Sequence, residues 1–147
     1  MTPLETKINT TRFVTLATYA ANRPVQGGVV TVLDSTHEAR GLKLIATYSR
    51  ALRKDSIHEL IATDEIGKGP GDGVDRIAYI AFFEVVRGGC IVVGETLFVG
   101  GQAVGVILGF DETHEPNHIN VIVGVKRRRT GRQLKIKVGS KIKIARK

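Results

Sequence analysis

From residue 88 onward glycine falls at 88, 89, 94, 100, 101, 105 and 109, each time between short pieces rich in Val, Ile and Leu. A helix does not tolerate that density, since each interior glycine costs roughly 0.5–1 kcal/mol relative to alanine. In small barrels glycine instead marks bulges and corners where strands bend to close a sheet. Residues 29–33, 42–46, 77–86, 90–93, 104–108 and 119–125 are β-branched runs bounded by glycine or polar clusters, as strands are. The expected fold is mainly β: a small closed or nearly closed β-barrel with an internal hairpin duplication and one short helix. A chain of 147 residues, 42% of them hydrophobic, has the size and apolar content of one domain spanning residues 1–147.

The helix is expected after Ser56. Ser56 and Glu59 have capping-box spacing, Ile57, Leu60 and Ile61 recur at i, i+3 and i+4, and Gly67 stops the run. On that reading His58 lies on the solvated face. The glycine-rich stretch 67–73 then follows a helix and leads into a strand. A phosphate cradle opens a helix, so this stretch reads as a mobile surface loop, with Asp72, Asp75 and Arg76 at its exit within reach of a ligand.

Residues 28–38 can be laid over 105–115 without a gap, and both stretches end in Asp-x-Thr-His-Glu. The register continues, with Leu42, Leu44 and Ala46 falling on Ile119, Val121 and Val123. Each copy therefore reads strand, polar loop, strand. Asp-x-Thr recurs in turns because its side-chain oxygens bind nearby backbone N–H groups, but turn chemistry does not require His-Glu twice.

The second loop is the richer in chemistry: Asp111, Glu112, His114, Glu115, His118 and Asn120 lie within ten residues of one another. His114-Glu115-Pro116-Asn117-His118 spells H-E-x-x-H, but that zinc motif needs a helix, and Pro116 disfavours a helical Glu115. What remains is a loop site with His114, Glu115, His118 and Asp111 as its catalytic groups. A histidine oriented by a carboxylate is the usual acid–base pair near neutral pH. His114, His118 and, from the first loop, His37 form a candidate ligand set for a divalent metal with an open position. In the first loop Arg40 offers a guanidinium fork for an anionic substrate group.

The charge is divided along the chain. Residues 126–147 hold 11 of the 22 basic residues and no acidic one, whereas the other 125 positions carry a net charge of −3. Residues 134–138 and 141–144 alternate apolar with basic, the period of strands with one basic face. A three-residue loop at 139–141 would pair Val138 with Ile142. This face beside Lys126-Arg127-Arg128-Arg129 suits nucleic-acid phosphates, although residues 111–147 lack the aromatic residues on which single strands stack.

The single cysteine, Cys90, opens an apolar run and reads as core packing. The longest apolar run is far short of the ~20 residues a membrane span needs. Lys7 and Arg12 precede a stretch interrupted by Thr15 and Thr18, with no export cleavage pattern after it, so a cytoplasmic location is expected. The reading is a barrel enzyme or ligand-binding protein acting on a small polar substrate, with homo-oligomerisation expected. The alternatives are a non-catalytic basic barrel binding nucleic acid through residues 126–147 and a structural oligomer subunit.

Overall fold

The β-branched runs pair edge to edge in the computed structural model, which describes residues 16–147. The N-terminal stretch around Lys7 and Arg12 lies outside the described residues. In chain order the strands are β1 (Val25–Val32), β2 (Thr36–His37), β3 (Leu42–Lys43), β4 (Ser49–Leu52), β5 (Ile57–Thr63), β6 (Gly73–Val74), β7 (Ile77–Arg87), β8 (Gly89–Val92), β9 (Thr96–Val99), β10 (Gln102–Asp111), β11 (Asn120–Gly124) and β12 (Lys141–Ala145). One sheet runs β1-β12-β9-β10-β11-β5-β7, and β7 pairs back onto β1, giving a nearly closed ring of seven strands. Within the ring β5 and β11 are parallel; every other neighbouring pair is antiparallel. Phe83, Phe110, Leu60, Ile80, Leu97, Ile107 and Ile144 are among its fully or almost fully buried side chains.

Ring closure depends on glycine where β1 meets β7. A Cβ on Gly27 would collide with the backbone carbonyl of Glu84. The pairing shifts register between Gln26 and Gly27, a bulge that lets the two strands approach while bending.

The expected helix after Ser56 is strand β5, and the only helical segment among the described residues is a single 3-10 turn, Leu16–Thr18. The capping box does not form: the Ser56 hydroxyl donates to the carbonyl of Arg53. β5 sits between β11 and β7 and is buried from His58 to Thr63, so residues on both of its faces are enclosed. A strand covered on both faces reads as a continuous apolar run, and such a run meets the i, i+3, i+4 template by default.

The repeat does not fold as a duplicated hairpin. The second copy is one: β10 and β11 pair with Ile107 opposite Val123 and Phe110 opposite Val121. In the first, β1 pairs with β12 and β7, while Leu42–Lys43 pairs with β6. The stretch 67–73 is packed rather than mobile, with Gly69 and Pro70 buried and the Gly71 N–H bound to the carbonyl of Leu44.

The C-terminal residues belong to the fold, by a different route from the expected hairpin. β12 lies between β1 and β9, burying Ile142 and Ile144 and exposing Lys141 and Lys143. Residues 134–138 are turn and irregular chain, not a strand. Thr130 and Gln133 cap each other reciprocally, the Thr130 N–H on the Gln133 side-chain oxygen and the Gln133 N–H on the Thr130 hydroxyl, and the chain then coils back with Leu134 N–H on the Thr130 carbonyl. Val138 is consequently left 70% exposed. Cys90, expected in the core, is exposed on β8.

Candidate functional site

Strand register builds the site. In β5 Glu59 stands opposite Phe82 of β7 and beside Asn120 of β11, so the three side chains share one face of the sheet. Tyr79 of β7 pairs with Ile61 across a bulge. Glu59 is 6% exposed and Asn120 fully buried.

The loop between β10 and β11 folds over this face. His118 Nε2 comes to 3.3 Å from a Glu59 carboxyl oxygen. The His118 and Phe82 rings meet edge to face, centroids 5.1 Å apart, and the His114 ring stacks on His118 at 5.0 Å. His118 Nδ1 lies 2.6 Å from the side-chain oxygen of Asn117. An amide oxygen only accepts, so Nδ1 carries a proton and Nε2 presents its lone pair to Glu59 when the ring is neutral. Among the described residues neither His118 Nε2 nor Asn120 Oδ1 makes a hydrogen bond, although both atoms are buried.

Burial acts on the two titrating groups in opposite senses. It pushes Glu59 up to about 7, against a smaller downward pull from the Arg40 guanidinium. It pushes His118 down from the usual imidazole value, helped by His114 and opposed by Glu115 and Asn120. The pair therefore favours one proton shared between carboxyl and imidazole over a fully separated ion pair.

Arg40, half-buried, donates from Nε to the Tyr79 hydroxyl at 3.1 Å. A guanidinium has five N–H donors, and among the described residues only this one is engaged by a side chain. Arg40 thus keeps donors that no side chain among the described residues engages, and its positive charge acts on the Glu59 carboxyl.

The other expected site residues divide. Asp111 is 1% exposed and acts as a brace, accepting the Lys43 N–H, the Thr113 N–H and the Asn120 side-chain amide at 3.0–3.1 Å. Glu115 and Glu112 are both engaged by Arg50 of β4, the latter at 3.2 Å. His37 stands edge-on to Tyr79, ring centroids 6.5 Å apart. Among the described residues no three His, Cys, Asp or Glu side chains form a metal-holding group, so the expected set of His114, His118 and His37 is not assembled.

The first loop turns to the basic end of the chain. Asp34 accepts from the Thr130 hydroxyl and pairs with Arg132, and Glu38 pairs with Arg76 and Arg128. The Arg128 contact holds the Glu38 carboxyl below its usual range. Asp75 accepts the Gly41 N–H, Asp72 accepts the Gly69 N–H, and Arg76 is bound between Asp64 and Glu38. These are loop fasteners.

Of the side chains gathered here the sequence singles out His118 and Arg40 as candidates, but not Glu59, Tyr79 or Phe82. The available signal was a carboxylate interrupting the apolar run 57–62, which in a chain of strands is a buried acid.

Together these features define a class: an all-β domain with a nearly closed ring of strands, carrying a buried carboxyl–imidazole pair under one loop. The chain belongs to a family of unknown function (DUF6917), whose sequence profile matches residues 19–145 and so spans every residue of this cluster. No curated protein and no solved structure matches it. No helix among the described residues is long and apolar enough to cross a membrane.

Proposed function

We propose that the protein is an enzyme that moves a proton on a small polar substrate at the Glu59–His118 pair, with an anionic substrate group held by Arg40. The observation that carries this reading is the 3.3 Å approach of His118 Nε2 to Glu59 beside a second orphaned buried atom, Asn120 Oδ1. Buried polar atoms are nearly always satisfied, and those that are not mark strain, catalysis or ligand contact.

With a value of about 7, Glu59 is roughly half ionised at neutral pH, the condition under which a general base works best. The carboxylate takes a proton from the substrate. His118 and Asn120 hold the acid so formed, its carboxyl proton exchanges with solvent, and a proton from the Glu59 carboxyl is returned to the product. The free guanidinium edge of Arg40 binds a carboxylate-like oxygen pair and sets the substrate's reacting atom against Glu59. His114, exposed and stacked on His118, covers the open side.

The test is a panel of small carboxylic and hydroxy acids offered to wild type, Glu59→Gln and Arg40→Ala. Solvent-deuterium exchange into the acid, followed by NMR, reports proton transfer, and the rise in melting temperature reports binding. Exchange in wild type should fall by about 10²–10⁴-fold in Glu59→Gln with binding retained, and Arg40→Ala should lose the binding. If Glu59→Gln exchanges as fast as wild type, or no acid of the panel binds wild type, the reading is wrong.

A further inference from the structure

The basic residues near the C-terminus do not form one patch. Arg128 is turned onto the body of the protein, where it pairs with Glu38 and donates to the carbonyls of His37 and Ile77 at 2.8 and 3.1 Å. Arg132 pairs with Asp34, and Arg146 donates to the carbonyls of Leu16 and Tyr19. Arg127 and Arg129, on either side of Arg128 in the chain, are left for the opposite side. With Lys126 and Lys147 they line a cavity of about 520 Å³.

The floor of that cavity is made of small and apolar residues, among them Ala62, Ala103, Gly105 and Val106. Gly105 is required by packing, since a Cβ there would collide with the Gly124 carbonyl and the side chain of Val123. The close approach of β10 and β11 leaves the concavity above it. No Asp or Glu lines the cavity, and among the described residues none of the four cations has an ion pair.

We propose that this cavity binds a small organic phosphate carrying at least two negative charges. Cations gathered around one concavity that no acidic side chain lines repel one another, and a multivalent anion removes that repulsion while its oxygens take the guanidinium forks of Arg127 and Arg129. The volume lies within the usual range for small-molecule sites, about 300–1,000 Å³. An apolar floor gives the organic part of an ester a surface that bare phosphate would not use. A nucleic-acid strand fits less well, because the lining contains no aromatic residue on which a base could stack.

The cavity is separate from the Glu59 site. β11 runs from Asn120, beside Glu59, to Gly124, on the cavity wall, a path of four residues or about 13 Å at the usual strand rise. The proposal therefore does not rest on the proton-transfer reading.

The experiment is calorimetric titration of the full chain with adenosine diphosphate, with inorganic pyrophosphate and with a mixed-sequence DNA duplex, at about 50 mM and higher salt. The proteins are wild type, Arg127→Ala/Arg129→Ala and, as a control on a different basic face, Lys141→Ala/Lys143→Ala. Arg127 and Arg129 are exposed, so the first variant should keep the wild-type melting temperature. The nucleotide should bind more tightly than pyrophosphate, and its affinity should fall about tenfold or more in Arg127→Ala/Arg129→Ala but not in the lysine control. The proposal is overturned if neither small anion binds wild type, or if both variants bind them alike. It is also overturned if only the duplex binds, with a steep salt dependence and a loss in both variants, since the basic end would then be a nucleic-acid surface.

Discussion

The Nδ1 nitrogen of His58 accepts the backbone N–H of Ile119 at 3.1 Å, tying the start of β5 to the residue that follows His118. Nδ1 must be unprotonated to accept, so the ring proton sits on Nε2, which lies 2.9 Å from the Ser56 hydroxyl; that hydroxyl in turn donates to Arg53. A chain of three hydrogen bonds thus holds the imidazole neutral and sets the height of the loop that carries His118 over Glu59.

Burial, then the charges of Arg50 and His118, lower His58 from 6.5 to about 4. The folded state therefore binds fewer protons here than the unfolded chain between those values, and stability rises with pH across that window. The contribution is complete above 6.5 and is lost as pH falls through 4. Its size is on the order of 3 kcal/mol. Denaturant unfolding at a series of pH values should show this slope, and His58→Phe should flatten it while lowering stability at pH 7. An unchanged slope in the variant would assign the acid sensitivity to other groups.

Glu59 has the opposite sign. Its value is raised from 4.5 to about 7, so the folded state binds more protons than the unfolded chain between those values. The stability it contributes is complete below 4.5 and disappears as pH rises through 7. Glu59→Gln, which keeps the shape and cannot ionise, should be more stable than wild type at pH 8.5 by up to about 3 kcal/mol and close to it at pH 5. Equal stabilities at both values would mean that the Glu59 carboxylate is not held in a desolvated place.

What the sequence revealed and what it hid have the same physical origin. Glycine density and β-branching act locally, so the mainly β ring was legible, as was the alternation of Ile142 and Ile144 with lysine. The capping-box pattern stands at Ser56 and Glu59, where β5 is enclosed on both faces and sheet pairing overrides it. The same spacing recurs at Thr130 and Gln133, and there the reciprocal bonds form. Thr130 is itself buried, so what separates the two places is pairing: β5 is held by a strand on each side, whereas residues 130–134 belong to no strand. Of the proposed site, His118 and Arg40 could be picked out from the sequence, since both lie in polar loops. Glu59 lies inside an apolar strand and becomes a candidate only when β11 and β7 are placed on either side of it. The Asp-x-Thr-His-Glu repeat is a likeness of letters: Asp111 closes a turn with Thr113, whereas Asp34 reaches across to Thr130.

Because β12 joins β1 to β9 in the ring, ending the chain at Gly131 should abolish cooperative unfolding. A finer test uses single residues. Ile142, 2% exposed, should cost about 2–5 kcal/mol when replaced by alanine. Val138, at 70% exposed, should change stability by less than about 0.5 kcal/mol when replaced by serine. Equal effects at the two positions would restore the expected strand over 134–138, in which both side chains share one apolar face.

Asp111 separates bracing from catalysis. Its two oxygens accept from the N–H groups of Lys43 and Thr113 and from the Asn120 amide, all in a place closed to water. Replacement by alanine strips three donors of their acceptor, and each buried donor left unpaired costs about 1–3 kcal/mol. A loss of about 3–5 kcal/mol in denaturant unfolding is expected after partial relaxation. Asp111→Asn should recover only part of that loss, since one oxygen becomes an N–H₂ facing other donors. A reacting carboxylate would behave differently: it could be replaced with little change in melting temperature, because catalytic groups are held for chemistry rather than for stability. If Asp111→Ala melts within a degree or two of wild type, Asp111 is not the brace of Asn120. The orientation of the Asn120 amide, its nitrogen on Asp111 and its oxygen unbonded, would then need another source.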